Sequence, residues 1–420
     1  MSQFIITGGA ALTGEVKVSG AKNAALPILA SALLTTGTVV INNVPHIQDI
    51  RTMLEVLESL GCTVIDFSNH KVIIDSSKAD GRDPDFVKVK RIRASVLILG
   101  PLLARFHKVK VTHPGGCHIG ARPIDTHLKA FEALGASVRS DEQFYYVEAL
   151  QGLRGTKIVL DEMSVTATEN AVMAAVLTPG KTEIHLAAAE PEIGNLIASL
   201  NQMGAKISGA GTHNLVIEGV EKLHGAEVTI IPDRIEAGTF AIAAAVMHGE
   251  VLIDGYNQEH LELFTNKLRA ANVQIQILPG AQARVSRTTQ LKAVDIRTDI
   301  YPGFPTDLQA PFAVLLTQAV GNSKIYETMY EGRLNYFQEL AKMGASAQVL
   351  NPHEAVVFGP TPLFGKEINS LDIRAGATLI LAALTAQGTS IITNAEMIDR
   401  GYEEIEKKLR ALGAHIERKE

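Results

Sequence analysis

The sequence predicts an α/β protein of two similar domains, each built from three repeated strand–helix–strand–helix–strand units, and three observations predict it. First, six segments share one ending: LESLGCTV, FEALGASV, LNQMGAKI, LRAANVQI, LAKMGASA and LRALGAHI. Their turn residues, Gly61, Gly135, Gly204, Asn272, Gly344 and Gly413, recur every 68 to 74 residues. Second, a shorter landmark lies upstream of each, in LLTTGTVVI, LARFHKVKV, AVLTPGKTEI, AVMHGEVLI, TQAVGNSKI and LTAQGTSII. Third, two kinds of helical pattern alternate, one apolar nearly all round and one with a single wet face. Strands alternating with helices imply sheets with helices packed on them.

Each unit opens on a strand, read in GEVKV, GTKIVL, GAEVTII, AVDIRT and KEINSLDI; the second unit, with DFVKVK, is degenerate here. The helix that follows is apolar on every side in AALPILASALL, AGTFAIAAAVM and AGATLILAALTA, which predicts full burial. It ends at the upstream landmark, at Gly37, Gly180, Gly249, Gly321 or Gly388, with His107 in that place in the second unit. A strand comes next, then an amphipathic helix such as IRTMLEVLESL or GYEEIEKKLRAL. That helix stops at the recurrent Gly or Asn, the residue types that take the left-handed conformation just past a helix end. Grouping the units three and three puts the break near VEKLHGAEV. Residues 22–230 then form the first domain, with the loop around Cys117, and residues 1–21 plus 231–420 form the second.

Bulk composition narrows the function. Thirty-nine basic against 45 acidic residues give a formal charge of −6. That opposes general binding to nucleic acid or to an anionic membrane, since both need a positive face. Two cysteines without a CxxC pattern oppose both a disulfide framework and a thiolate zinc site. The start MSQFIITGG has neither the basic nor the apolar stretch of a secretory signal, and apolar runs such as ATLILAALTA fall short of the roughly 20 residues of a membrane span. A reduced cytosol is the expected location.

Polar residues recur where each first strand gives way to its buried helix: Lys22, Arg93, Ser164, Arg234, Asp307 and Arg374 lie 14 to 16 residues before the upstream landmark. A helix N-terminus aims unpaired N–H groups at this place, which suits an anion. The second helix repeats the idea with Arg122, Arg333 and Arg400, and with Asp49 and Arg51 in the first unit. Cations at helix starts oppose the helix dipole, so propensity did not select them. An anionic ligand would offset that cost; surface charges and structural ion pairs are the bland alternative. The stretch THPGGCHIGARPIDTH carries an insertion of three or four residues, in its PGGC part, relative to the other units. Its glycines suit a lid, and His113, His118 and Arg122 beside Cys117 are neighbours that favour a reactive thiolate. No GxGxxG, P-loop, HExxH or GxSxG pattern occurs.

SGAKNAALPI, PGGCHIGARPID, YPGFPTDLQAPF, DIRAGATLILAAL and DRGYEEIEKKLRALGA, spread over essentially the whole chain, resemble the enolpyruvyl transferases. The cysteine loop points to the branch whose acceptor is UDP-N-acetylglucosamine. The resemblance implies an inside-out α/β barrel in each domain and an active site in the cleft between them. It implies transfer of the enolpyruvyl group of phosphoenolpyruvate to the sugar 3′-hydroxyl with release of phosphate, the first committed step of peptidoglycan synthesis. By the same resemblance Cys117 donates a proton to the enol carbon and Asp307 accepts the hydroxyl proton. Lys22, Arg122 and Arg400 clamp phosphate and carboxylate, with Arg93, Arg333 and Arg374 around them. Asn23 bonds the sugar or the intermediate, and Arg122, Pro123, Ile124, Asp125, Thr126 and His127 match the uridine end. Ser164, Val165 and Thr166, in the segment after Asp161, cradle the diphosphate and Tyr330 lies near the sugar; Asp161, Thr306 and Met329 also bind substrate. Gly332 departs from the family pattern, where Asn is expected, which puts the support of Arg333 in question. The resemblance implies no metal and no organic cofactor, a monomer, and feedback by a downstream cell-wall precursor. Two alternatives stand beside it: the shikimate-pathway enolpyruvyl transferase, and a repeat-built binding protein without catalysis.

Overall fold

In the computed structural model, which describes residues 2–112, 120 and 122–420, all six recurrent endings close their helices in one way. Gly61, Gly135, Gly204, Asn272, Gly344 and Gly413 all have positive φ. In each case the next N–H reaches back five residues, as Cys62 N–H does to the Leu57 carbonyl at 3.1 Å and Ala414 N–H to Leu409 at 3.0 Å. The turn residue's own N–H bonds three residues back, as Gly61 does to Glu58 at 3.0 Å. This is the Schellman arrangement, and it satisfies carbonyls that a helix end would otherwise leave open. The upstream landmark is less uniform. His107, Gly180, Gly321 and Gly388 are left-handed, but in the fourth repeat the left-handed residue is His248 rather than Gly249. Gly249 has a different reason to be glycine: a Cβ there would lie 2.2 Å from the Leu12 carbonyl oxygen.

In three repeats the opening strand runs parallel to the strand after its own buried helix. Lys157–Val159 runs parallel to Lys181–His185 across the buried helix Val165–Ala175. Lys181–His185 pairs antiparallel with Asn214–Glu218, which pairs with Lys206–Ser208. Ile296–Arg297 and Glu367–Asn369 likewise run parallel to the strands after their own buried helices. The other repeats depart from this scheme. Thr13–Lys17, read as the opening strand of the first unit, pairs with Glu250–Asp254 of the fourth. Glu227–Thr229, read as opening the fourth, pairs with Thr38–Asn42 of the first. Gln3–Thr7 inserts between Thr389–Thr393 and His415–Lys419 and completes the sixth sheet. In the second repeat the DFVKVK segment is the short helix Phe86–Val89, because Asp85 caps it by accepting from Val87 N–H at 2.9 Å. The sheet there has three strands instead of four.

The chain divides into two compact units. The first comprises residues 20–112 and Arg122–Ile231; the second comprises residues 2–19, Gly120 and Pro232–Glu420. Each has its own apolar core. In the second unit the helices Arg234–Val246, Thr306–Thr317 and Ile373–Thr385 pack on one another. Arg234–Val246 is buried from Ile235 to Val246, as its pattern predicts. The amphipathic helices, such as Gln48–Ser59, bury only one face. The last of these is shorter than GYEEIEKKLRAL suggests and spans Ile405–Ala411. Tyr402 and Glu403 are instead buried in the preceding turn, where Tyr402 meets the Thr239 hydroxyl at 3.0 Å and Glu403 accepts from Ser19 at 2.6 Å. No helix among the described residues is long and apolar enough to cross a membrane.

Candidate active site

Two groups of side chains gather at strand-to-helix junctions, one in each unit. In the first unit Lys22 begins the buried helix Lys22–Ser31, whose N-terminus has no side-chain cap. Its ammonium lies 2.7 Å from Asp49, a buried carboxylate in the first turn of Gln48–Ser59. Asn23 follows and is exposed. Arg93 starts the 3-10 helix Arg93–Ile98, which packs against Lys22–Ser31, and its guanidinium donates to the Arg122 carbonyl. Pro123 and Asp125 are exposed, while Ile124 and Thr126 are buried.

His127 ties two predicted segments together. On the helix Asp125–Ala133, it is almost wholly buried and its Nε2 lies 2.9 Å from the Thr166 hydroxyl. Burial first, and the neighbouring Arg93 charge second, lower its pKa to about 4, so the ring is neutral at pH 7. Ser164 caps the helix Val165–Ala175 by accepting from Ala167 N–H at 3.4 Å, and Val165 and Thr166 form the first turn. Asp161 is exposed and pairs with Lys129 at 2.5 Å. Arg51 is exposed over the Phe67 ring, 5.4 Å away, and Arg234 sits over the Tyr301 ring at 5.6 Å.

In the second unit Asp307 lies in the first turn of Thr306–Thr317, another helix without a side-chain cap. One carboxylate oxygen accepts from Arg333; the other accepts from Arg374 Nε at 3.0 Å and lies 2.8 Å from its terminal nitrogen. The two guanidinium side chains are 5% and 7% exposed but Asp307 is 26% exposed, so the carboxylate is the member that faces outward. Burial penalises the charge on both arginines, but Asp307, with Asp372 and Glu327 acting on Arg333 and with Tyr402 and Asp233 acting on Arg374, more than offsets that penalty, so both pKa values are raised. Thr306 accepts from Arg333 Nε at 3.2 Å and donates to Glu327 at 2.9 Å. Glu327 also accepts from Met329 N–H at 2.8 Å and Tyr330 N–H at 3.3 Å. Gly332 has φ −93°, a value any residue adopts, so the backbone does not demand glycine there. Arg333 draws its support from Thr306 and Asp307 instead. Arg400 lies in the turn before Ile405–Ala411 and is partly buried. Its neighbour Gly401 packs on the start of Ile373–Thr385, where a Cβ would sit 2.5 Å from Ile373 and 3.8 Å from Arg374.

The structure therefore brings Asp307, Arg333, Arg374, Thr306, Met329 and Tyr330 together, with the Arg400 turn alongside. It joins Arg93 with Arg122 and His127 with Thr166. Cys117, His113 and His118 lie outside the described residues; Gly120 has φ +134°, and a Cβ there would meet the Glu331 carboxylate at 2.6 Å. The sequence reading missed Glu327, Tyr402 and Asp372. Asp372 alone left a local signal, as an Asp directly before a helical run; it accepts from Arg374 N–H at 2.8 Å. Two prolines, Pro27 and Pro311, lie inside the Lys22 and Thr306 helices. Lacking an N–H, they cannot bond the carbonyls of Asn23 and Asp307 four residues earlier.

The family model described as EPSP synthase (3-phosphoshikimate 1-carboxyvinyltransferase) matches residues 6–409. The chain belongs to the enolpyruvyl transferase family. Among curated family members, the UDP-N-acetylglucosamine 1-carboxyvinyltransferase 2 of Carboxydothermus hydrogenoformans is 48% identical over 419 residues, covering 100% of this chain and 99% of that protein. The protein of the same name from Bacillus subtilis is 45% identical and covers 99% and 96%. The crystal structure of the enolpyruvyl transferase NikO from Streptomyces tendae matches with a TM-score of 0.90 at 26% identity, over 100% of this chain and 99% of that one. An EPSP synthase from Acinetobacter baumannii gives 0.77 at 18% identity over the full length of both, a likeness of fold alone.

Proposed function

We propose that this enolpyruvyl transferase moves the enolpyruvyl group of phosphoenolpyruvate to the 3′-hydroxyl of UDP-N-acetylglucosamine and releases phosphate. The observation that carries the reading is 48% identity, over the whole chain, to a protein named for that transfer. The geometry agrees with its chemistry. The 3′-oxygen attacks C2 of the enol while C3 gains a proton, and the tetrahedral adduct then loses a proton from C3 together with phosphate. Addition calls for a base at the hydroxyl, an acid at C3 and cations at phosphate and carboxylate. Asp307 is the base: its carboxylate is the most exposed member of the trio it forms with Arg333 and Arg374. Cys117 is the acid, assigned from its place in PGGCHIGARPID. Lys22, Arg122, Arg374 and Arg400 neutralise the two anions, and the His127–Thr166 pair joins the uridine segment to the diphosphate cradle.

On this reading each unit is an inside-out α/β barrel, the first and second units each supply half of one site, and residues 22–230 and 1–21 plus 231–420 are the domains that close on the substrates. The reaction is the first committed step of peptidoglycan synthesis, carried out in the cytoplasm by a monomer that is open to feedback from a later precursor. The test is phosphate release with phosphoenolpyruvate and each acceptor in turn, with the product weighed by mass spectrometry. Release with UDP-N-acetylglucosamine, gain of one enolpyruvyl group, and loss of turnover in Cys117→Ser are expected. Release with shikimate 3-phosphate alone would overturn the reading.

A further inference from the structure

Glu327 is a fully buried carboxylate that the proposed chemistry does not use. It follows the strand Gly321–Tyr326, and its backbone is tied twice to the hairpin turn at His353. Its N–H donates to the His353 carbonyl at 2.7 Å, and its own carbonyl accepts from His353 Nδ1 at 2.7 Å. The side chain thus projects from a fixed point. One oxygen accepts from Met329 N–H and Tyr330 N–H; the other accepts from the Thr306 hydroxyl. We infer that Glu327 is a positioning residue with two separate tasks: it aims Thr306 at Arg333, which aims Arg333 at Asp307, and it holds the Met329–Tyr330 turn. The inference rests on the reading of Asp307 as the base.

The polarity of the bonds carries the argument. A carboxylate can only accept, so the Thr306 proton is committed to Glu327 and a Thr306 lone pair is left for Arg333 Nε–H. Glutamine at 327 would keep the shape but reverse one bond. Its oxygen can still accept from the two amides, while its NH₂ group would donate to Thr306 and compete with Arg333. The Glu327 charge facing Arg333 would also vanish, leaving that guanidinium to Asp307 and Asp372. Alanine would remove both tasks.

The two tasks separate by experiment. In Glu327→Gln, kcat should fall at least ten-fold, while the KM for the sugar nucleotide and the hydrogen exchange of the Met329 and Tyr330 amides stay within about two-fold. Thr306→Val should lower kcat similarly, and the double variant should be no worse than the poorer single one. Glu327→Ala should in addition speed exchange at both amides at least ten-fold. Thermal melts confirm folding of each variant. A Glu327→Gln enzyme with wild-type kcat, losses that multiply in the double variant, or unchanged amide exchange in Glu327→Ala would each overturn the inference. Amide exchange needs no substrate, so it decides the hold on the turn even if the wild type proves inactive with UDP-N-acetylglucosamine, an outcome that would sink the functional reading instead.

Discussion

Asp307 shows what the residue scale offers. The carboxylate is fixed by two buried guanidiniums and remains the exposed member of the trio. Asp307→Asn keeps the volume but cannot take a proton, so kcat should drop by roughly 10² to 10⁴ in steady-state assays, with the KM for phosphoenolpyruvate little changed. His127 gives a pH prediction. Folding holds its pKa at about 4, against about 6.5 for an unperturbed histidine, so as pH falls the unfolded chain takes up the proton first. Its contribution to stability is therefore complete above about pH 6.5 and is lost progressively down to about pH 4, by at most ~3 kcal/mol. Urea unfolding at pH 7 and pH 5 should show a steeper loss in the wild type than in His127→Gln; equal losses would contradict this. Lys22, Arg93, Asp307 and Arg374 were legible because their spacing recurs. Glu327 was not, since nothing in IYETMYEG marks a strand-end carboxylate as buried. Its partners lie 21 residues upstream at Thr306 and 26 downstream at His353.

At the scale of elements, helix ends carried the clearest signal. A left-handed Gly or Asn followed by an apolar residue is a local motif, and all six endings could be read directly from the sequence. Local reading failed where two local preferences compete. DFVKVK alternates like a strand, yet Asp85 supplies a cap and the segment turns helical. GYEE continues a helical pattern, yet Tyr402 and Glu403 are drawn into buried hydrogen bonds ahead of the helix. Caps also orient the site. Asp372 accepts from Arg374 N–H at 2.8 Å and from Ala375 N–H at 3.0 Å, so it fixes the first turn from which the Arg374 side chain leaves. Asp372→Ala should lower stability by about 1 kcal/mol in urea titrations and raise the KM for phosphoenolpyruvate. A loss of stability with unchanged KM would show that the cap serves only the helix.

At the scale of the whole molecule, the repeat was legible and the sheet pairing was not. A period near 70 residues says that six similar units exist, but it does not say which strand joins which sheet. Thr13–Lys17 and Glu227–Thr229 have the same opening-strand pattern as the others, yet each pairs with a strand more than 180 residues away in sequence. Such pairing follows where the chain passes from one unit to the other, at 19/20 and at 231/232, and is not carried by a strand's own residue pattern. The proposed transfer requires cations at the phosphate and carboxylate of phosphoenolpyruvate, and Lys22 and Arg374 are among those assigned to them. Lys22 belongs to the first unit and Arg374 to the second. The direct measurement is kcat/KM for phosphoenolpyruvate, by phosphate release at saturating UDP-N-acetylglucosamine, in Lys22→Met and Arg374→Met. Each variant, correctly folded, should lose at least ~100-fold, on the scale of a charge-assisted transition-state contact. A value within two-fold of wild type for either one would contradict it.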